Sequence, residues 1–231
     1  FYNAYASSSV CSPTRASIMT GKHPARVNIT DWIPGLEEQP NYNNKNKPLI
    51  GPQDLNELPL DEVTIAEVLK SNGYKTFYSG KWHLGSEGHY PEDQGFDINI
   101  GGFEKGSPMG GYYSPYKNPK LEDGPEGEYL TDRLTQETID FIDSRDESKP
   151  FAAFLAFYNV HTPIQENKEF YDYYVEKLNG YDDIEPVTKK EGDAITLLNQ
   201  RNPKYASMVH ATDNNVGKII NYLKKKNLYD N

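Results

Sequence analysis

One stretch near the start of the chain, Ser7–Lys22, holds the single cysteine and the residues around it that could bind an anion. Ser12 suits an N-cap, a proline follows it, and Gly21 suits a left-handed helix end. The sequence therefore predicts a helix of about two turns with Cys11 just ahead of it. Unpaired N–H groups and the dipole at such an N-terminus favour an anion, and Arg15 adds a planar charged group.

Two further candidate residues follow a predicted strand. Tyr74–Ser79 is typical of a strand, and a helix that stops at Gly73 comes just before it, as in half of a βαβ unit. The run Gly80–Gly85 then lies at the carboxyl end of the strand, where the chemistry of open α/β sheets gathers. Lys81 and His83 alternate, so both side chains point the same way if the strand continues.

A third candidate, His161, follows another predicted strand. Phe151–Tyr158 is a nearly continuous apolar run. Such a run predicts a strand buried on both faces in the middle of a parallel sheet. This strand delivers Asn159–Pro163, and with it His161, to its carboxyl end.

Taken together, these motifs resemble those of a known enzyme family. The pattern Cys-x-Pro-x-Arg at 11–15, with Thr-Gly at 20–21, resembles the signature of the type I sulfatases, which are formylglycine-dependent members of the alkaline phosphatase superfamily. The Gly-Lys-Trp-His-Leu-Gly run at 80–85 is similar to a second sulfatase motif, and His-Thr-Pro at 161–163 to a third. Residues 91–102 also look like a sulfatase stretch, to which no chemistry is assigned.

The resemblance implies that Cys11 is oxidised after translation to formylglycine, whose hydrate carries two hydroxyls on one carbon. One hydroxyl attacks sulfur and expels the alcohol, and the other then loses its proton and releases sulfate. In this scheme Lys81 clamps the sulfate, Arg15 adds positive charge, and His83 hydrogen-bonds a hydroxyl of the hydrate. His161 is the candidate general acid for the leaving alcohol, or the group that stabilises the charge growing on it.

The resemblance also implies a divalent cation, usually calcium, held by oxygen ligands that include formylglycine at position 11. The family's other ligands are an Asp-Asp pair and an Asp-Asn pair. Asp213-Asn214 lies inside a predicted helix and Asp230-Asn231 follows that helix directly, so neither is assigned. We expect residues 1–231 to be the central part of one sulfatase catalytic domain, with its first strand, its C-terminal portion and the remaining ligands outside this chain, and to be inactive alone.

The predicted elements indicate an α/β fold: a mixed, largely parallel central sheet with helices on both faces, alkaline phosphatase-like, in an incomplete N-terminal catalytic domain. Three further helices are predicted with their caps and apolar stripes. They are Thr64–Asn72 (capping box Thr64 and Glu67; stripe Ile65, Val68, Leu69), Leu130–Ser144 (cap Thr131) and Lys204–Lys225 (stripe Val209, Val216, Ile220, Leu223). Phe1–Ala6 is predicted to be a strand, Lys22–Pro59 a long loop, and Glu166–Pro203 loops with short helical pieces.

Composition limits the possible partners. The net charge of −10 argues against nucleic acid, and no apolar run approaches membrane-spanning length. A sulfate ester substrate, with a sulfated carbohydrate favoured by loop tyrosines, would need a local positive pocket. Trp32 either faces such a sugar or anchors its loop. The resemblance implies maturation by a formylglycine-generating enzyme and a periplasmic, secreted or lysosome-like location.

Two alternative functions stay open on the sequence. A phosphodiesterase or phosphonate monoester hydrolase of the same superfamily would bind a similar tetrahedral anion. A non-catalytic glycan-binding relative would keep Cys11 unmodified.

Overall fold

The computed structural model describes residues 3–34, 54–180 and 186–230. The helices in these ranges are α1 (Cys11–Thr20), α2 (Pro24–Val27), α3 (Ile65–Ser71), α4 (Leu130–Ser144), α5 (Tyr171–Asn179) and α6 (Pro203–Lys225). The strands are β1 (Lys75–Gly80), β2 (Ile98–Ile100), β3 (Phe151–Ala156), β4 (Thr188–Glu191) and β5 (Ala194–Leu197). A 3₁₀ turn spans Pro91–Gln94. None of the described helices combines the length and apolar character needed to cross a membrane.

A parallel sheet in the order β2–β1–β3 lies at the centre. Phe77 of β1 is paired with Ile98 on one side and with Ala153 on the other. Because the three strands run in the same direction, their carboxyl ends meet at one edge of the sheet. At that edge the Lys81 N–H donates to the Ala156 carbonyl at 2.8 Å. The two segments that carry the predicted site residues therefore leave the sheet side by side.

Helices cover both faces of β1. Tyr78 packs in one core cluster with Ala16 of α1 and Ala66 of α3. Its neighbour Phe77 stacks on Phe141 of α4, with ring centroids 4.4 Å apart. Successive side chains of a strand point to opposite faces, so the sheet lies between helices. This arrangement confirms the predicted α/β class.

Strand β3 is less buried than its apolar sequence predicts. All of Phe151–Ala156 is only half-buried, whereas β1 is buried from Thr76 to Gly80. Among the described residues β3 pairs with β1 alone, which leaves its other edge open. The prediction of a strand buried on both faces in the middle of the sheet is therefore wrong for this structure, because burial of a strand depends on a neighbour on each side.

Two segments outside the central sheet also differ from expectation. Residues 3–6 form no strand and are exposed, so the strand predicted at Phe1–Ala6 is wrong there, since no described strand pairs with it. The loop predicted at Lys22–Pro59 contains the short helix α2, whose N-cap His23 accepts a hydrogen bond from the Ala25 N–H. Residues 35–53 of that loop lie outside the described part.

The segment Glu166–Pro203 contains a hairpin as well as the expected short helix. α5 fits the prediction, but β4 and β5 pair as an antiparallel ribbon. The turn between these strands places Gly192 at φ 59, a left-handed conformation that glycine adopts readily. The sequence does not predict this hairpin, because β4 is polar and both strands are largely exposed.

Helix α3 starts as predicted but turns a different face to the core. The capping box is confirmed: Thr64 accepts from the Glu67 N–H, and the Glu67 carboxylate accepts from the Thr64 N–H. Ile65 and Val68 are 41% and 49% exposed, and Ala66 is the buried residue. The predicted apolar stripe is therefore wrong as a core face at Ile65 and Val68, because the small alanine lets the helix pack closely against the core.

For helices α4 and α6, too, the helix itself is predicted correctly, but its cap or its buried face is not. α4 has the predicted bounds, but Tyr129 is its N-cap residue and no side chain caps it. Thr131, the predicted cap, donates instead to the Asn159 side-chain oxygen at 2.7 Å. In α6 the predicted stripe residues Val209 and Val216 are 46% and 44% exposed, so that part of the stripe is wrong. The buried residues of α6 are Ser207, Met208, Ala211 and Asn215.

Candidate active site

Helix α1 brings Cys11 to the carboxyl edge of the sheet. The helix begins at Cys11 itself, with Val10 as its N-cap residue, and ends at Gly21 in the predicted left-handed conformation, φ 68. Ser12 is therefore not a cap, and its hydroxyl has other partners. It donates to the His83 carbonyl at 3.0 Å and accepts from the Ile33 N–H at 3.1 Å. The predicted cap is wrong because these contacts with distant loops replace the local one.

Lys81 contributes a buried positive charge beside Cys11. Lys81 is 3% exposed, and its side chain lies close enough to Cys11 for the two to interact electrostatically. Burial, followed by the nearby charge of Arg15, lowers the pKa of Lys81 to about 8, against the opposing effect of Cys11. The lysine is still largely protonated at neutral pH, and its desolvated charge attracts an anion strongly.

Arg15 projects from the first turn of α1 towards the end of β1. Its guanidinium donates to the Lys81 carbonyl at 2.5 Å and to the Tyr78 hydroxyl at 3.5 Å. Burial raises the pKa of Tyr78 to about 12, although the charge of Arg15 acts in the opposite direction. These two acceptors fix the arginine beside Cys11.

The His83 ring also contacts Cys11. Its Nδ1 is 3.2 Å from Cys11 Sγ, and its Nε2 is hydrogen-bonded to the Ile33 carbonyl. A carbonyl oxygen can only accept, so Nε2 carries the ring proton and Nδ1 presents its lone pair to position 11. Burial and then the charge of Lys81 lower the pKa of His83 to about 4, which keeps the ring neutral at pH 7.

His161 lies apart from this cluster, on a neighbouring cavity. Its ring is exposed, and Nδ1 lies 2.9 Å from the Thr162 carbonyl. A cavity of about 460 Å³ is lined by both His83 and His161, with Trp32 and Lys105 on its wall. A second cavity of about 520 Å³ is lined by Cys11, Arg15, Tyr78 and Phe154, among others. The structure thus brings four of the five predicted residues together, and connects the fifth through the cavity at His83.

Two positions that hold the His161 segment were not singled out for this role from the sequence. The buried Tyr112 hydroxyl contacts the carbonyls of Tyr158 and His161 at 2.9 and 2.8 Å. The Asn159 amide donates to the Met208 carbonyl at 2.9 Å. In the sequence, Tyr112 is a tyrosine among Gly and Pro residues. This setting fits packing at the rim of the site and stacking on a sugar equally well. Trp32 lines the cavity, so it remains a candidate for contact with a substrate.

The described residues do not form a metal site by themselves. Across residues 3–34, 54–180 and 186–230, no group of three or more His, Cys, Asp or Glu side chains is placed to hold an ion. Asp213 and Asn214 lie within α6, as predicted. Asp230 belongs to a turn after that helix, and Asn231 lies outside the described part. Among the described residues, position 11 alone is a predicted ligand of the cation.

Comparison with known proteins identifies the family of this chain. The family model described as Sulfatase matches residues 1–231. The chain belongs to the sulfatase family. Mouse arylsulfatase J is 27% identical to it over 238 residues, which is 96% of this chain and 33% of the relative. The chain thus spans about a third of that relative's length.

Solved sulfatase structures share the fold. Ps i-CgsB, in complex with k-i-k-neocarrahexaose, superposes with a TM-score of 0.65 at 27% identity, over 98% of this chain and 47% of that one. BT4656, in complex with D-glucosamine-2-N,6-O-disulfate, gives a TM-score of 0.63 at 21% identity, over 99% and 55%. At that identity the second likeness shows the fold alone.

Proposed function

We propose that this protein hydrolyses sulfate esters, with the side chain at position 11 as its nucleophile. The observation that carries the proposal is the convergence of Lys81, Arg15 and a neutral His83 on Cys11. Two fixed cations favour the binding of a tetrahedral anion, and the lone pair of His83 favours a group that donates a proton. The sulfatase relatives favour this function over a phosphodiesterase of the same superfamily.

The proposal includes oxidation of Cys11 to formylglycine by a maturation enzyme. The hydrated aldehyde would supply a hydroxyl that attacks sulfur and a second hydroxyl through which the sulfate is released. Lys81 would bind a sulfate oxygen next to position 11, and its burial would strengthen that contact. Arg15 would hold the Lys81 carbonyl and add charge at the same anion. His83 would accept the hydroxyl proton at Nδ1, since its Nε2 is occupied by Ile33.

His161 is proposed as the group that donates a proton to the leaving alcohol. It lines the same cavity as His83, whose ring contacts position 11, so the alcohol part of an ester bound at position 11 would have to extend past the His83 ring to reach it. A cavity with an indole and a lysine on its wall suits a sugar that carries polar and charged groups. The oligosaccharide bound to Ps i-CgsB supports a sulfated carbohydrate as the substrate class.

Family membership also implies a divalent cation, for which calcium is the proposed ion. Position 11 would be one ligand. The other described residues do not provide the remaining ligands of such an ion. Every catalytic role given above is therefore assigned to a protein side chain. The proposal places the mature protein outside the cytosol, in a periplasmic, secreted or lysosome-like compartment.

The test compares paired esters with the full-length protein purified from its natural host. We expect 4-nitrophenyl sulfate and sulfated oligosaccharides to be hydrolysed much faster than 4-nitrophenyl phosphate. The intact mass of the peptide that contains Cys11 should show the loss of one sulfur and two hydrogens and the gain of one oxygen, because the CH2–SH group becomes an aldehyde. An unmodified thiol in active native material, or a preference for the phosphate ester, would contradict the proposal.

A further inference from the structure

The Ser12 hydroxyl joins three separate parts of the chain at the base of the candidate site. Ser12 is completely buried. Its oxygen donates to the His83 carbonyl at 3.0 Å and accepts from the Ile33 N–H at 3.1 Å. The same oxygen lies 3.4 Å from His83 Nδ1. A single side chain therefore bonds helix α1 to the loop of Ile33 and to the turn of His83.

His83 needs this support because its backbone is in an unfavourable conformation. Its φ is 58, in the left-handed region that non-glycine residues rarely occupy. Such a conformation is costly and persists when surrounding contacts enforce it. The Ser12 hydroxyl holds the His83 carbonyl, and the His83 N–H donates to the Phe103 carbonyl at 3.2 Å.

The contacts also form a closed triangle around the ring. Ser12 holds the N–H of Ile33, and the Ile33 carbonyl in turn holds His83 Nε2. Moving the Ile33 loop would therefore release the ring from the bond that fixes its tautomer. Because Ser12 directly follows Cys11 in α1, the triangle fixes the ring relative to the nucleophile position.

We propose that Ser12 is a positioning residue, which sets the distance and tautomer of His83 relative to the side chain at position 11. This inference rests on the proposed sulfatase function. Ser12 does not touch the reacting atoms itself, so its effect on the reaction passes through His83 and Ile33. A loss of this alignment would slow turnover more than it weakens binding of the ester.

The test uses three variants of the full-length protein, each matured in a host that converts Cys11. Ser12→Ala removes the triangle's hydroxyl. Ser12→Thr keeps a hydroxyl at that position. Ser17→Ala is the matched control, because Ser17 lies on the same helix and its buried Oγ has no hydrogen-bond partner among the described residues.

We expect Ser12→Ala to lower kcat about 10- to 100-fold with KM changed less than about twofold, since misplacement by about 1 Å can cost about 100-fold. Ser12→Thr should recover most of the rate, and Ser17→Ala should match the wild type. A fully folded Ser12→Ala protein with the kcat of Ser17→Ala would overturn the inference. A wild-type protein without sulfatase activity would instead overturn the proposed function.

A spectroscopic measurement separates positioning from general loss of stability. In protein labelled with ¹⁵N-histidine, the wild-type His83 signals should be those of a ring protonated at Nε2 alone. Ser12→Ala should shift these signals towards a mixture of tautomers, while Ser17→Ala leaves them in place. Unchanged His83 signals in Ser12→Ala would contradict the proposal even if the variant were destabilised.

Discussion

The corner of the site formed by Cys11, Lys81 and His83 lies on a cavity that adjoins the cavity of His161. The corner and the turn around His161 are built differently. Lys81 and His83 are 3% and 5% exposed; His83 contacts Cys11, and Lys81 interacts with it electrostatically. His161 is exposed, and its ring contacts its own neighbour Thr162. A rigid, desolvated corner suits the sulfate group, which is the same in every substrate. An open turn suits the alcohol, whose size and shape vary.

The largest expected effect is at the nucleophile position. Cys11→Ala should lower kcat/KM by at least about 10³-fold, because the attacking group is lost. Cys11 is half-buried, so the variant should keep a thermal midpoint close to that of the wild type. Rates with 4-nitrophenyl sulfate and a thermal melt provide both values. Substantial turnover by this variant would place the nucleophile elsewhere.

The next effect should depend on the leaving group. His161→Ala should lower kcat/KM by about 10²- to 10⁴-fold for a sugar sulfate, whose alkoxide needs a proton as it leaves. The same variant should lose far less with 4-nitrophenyl sulfate, because nitrophenolate is stable without a proton. The ratio of the two losses is the measurement. Equal losses with both esters would show that His161 is not the acid.

A smaller effect should come from crowding the rigid corner. A Cβ added at Gly106 would lie 2.4 Å from Cε1 of the His83 ring, so Gly106→Ala must push the ring away from its partners. We expect kcat to fall about tenfold or more, by the same misalignment argument as above. The matched control is Gly217→Ala in α6, where an added Cβ meets nothing within 4 Å. That control should keep its activity and gain about 0.5–1 kcal/mol of stability. Equal activity of the two variants would contradict the claim that the site around Cys11 and His83 is rigid.

The contrast also explains how much of the site could be predicted from the sequence. The proximity of Cys11, Lys81 and His83 could be predicted, because each residue belongs to a compact motif next to one element. The role of Ser12 could not be predicted, because serine before proline is also the pattern of a helix cap. Its partners Ile33 and His83 are distant in sequence and bind it partly through backbone atoms, which leave no trace in side-chain identity.

In the fold too, features set by residues close in sequence were easier to predict than features set by distant residues. The capping box of Thr64 and the left-handed end at Gly21 are local, and both were predicted correctly. The exposure of Val68 and of strand β3 depends on which surfaces pack against them, and apolar periodicity alone does not contain that information. Sequence patterns therefore predicted the bounds of most elements better than the faces they bury.

The smallest expected effect lies at the opposite end of β1, where Asp97 accepts from the Thr76 N–H at 3.0 Å and pairs with Lys70 at 3.0 Å. Burial alone would raise the pKa of Asp97, but these two partners outweigh it and the pKa is lowered. A carboxyl with a lowered folded pKa stabilises the protein above its unfolded pKa, near 4, and loses that contribution as pH falls through the folded value.

Asp97→Asn should therefore lower the free energy of unfolding by on the order of 1 kcal/mol at pH 7, because its ion pair is partly screened by solvent. The difference from the wild type should shrink below pH 4, and urea melts at several pH values would measure it. Catalytic rates at pH 7 should stay unchanged, since Asp97 lies at the amino end of the sheet. A change in kcat without a change in stability would mean that the two ends of β1 are coupled, and that the rigidity of the Cys11 corner depends on the whole strand.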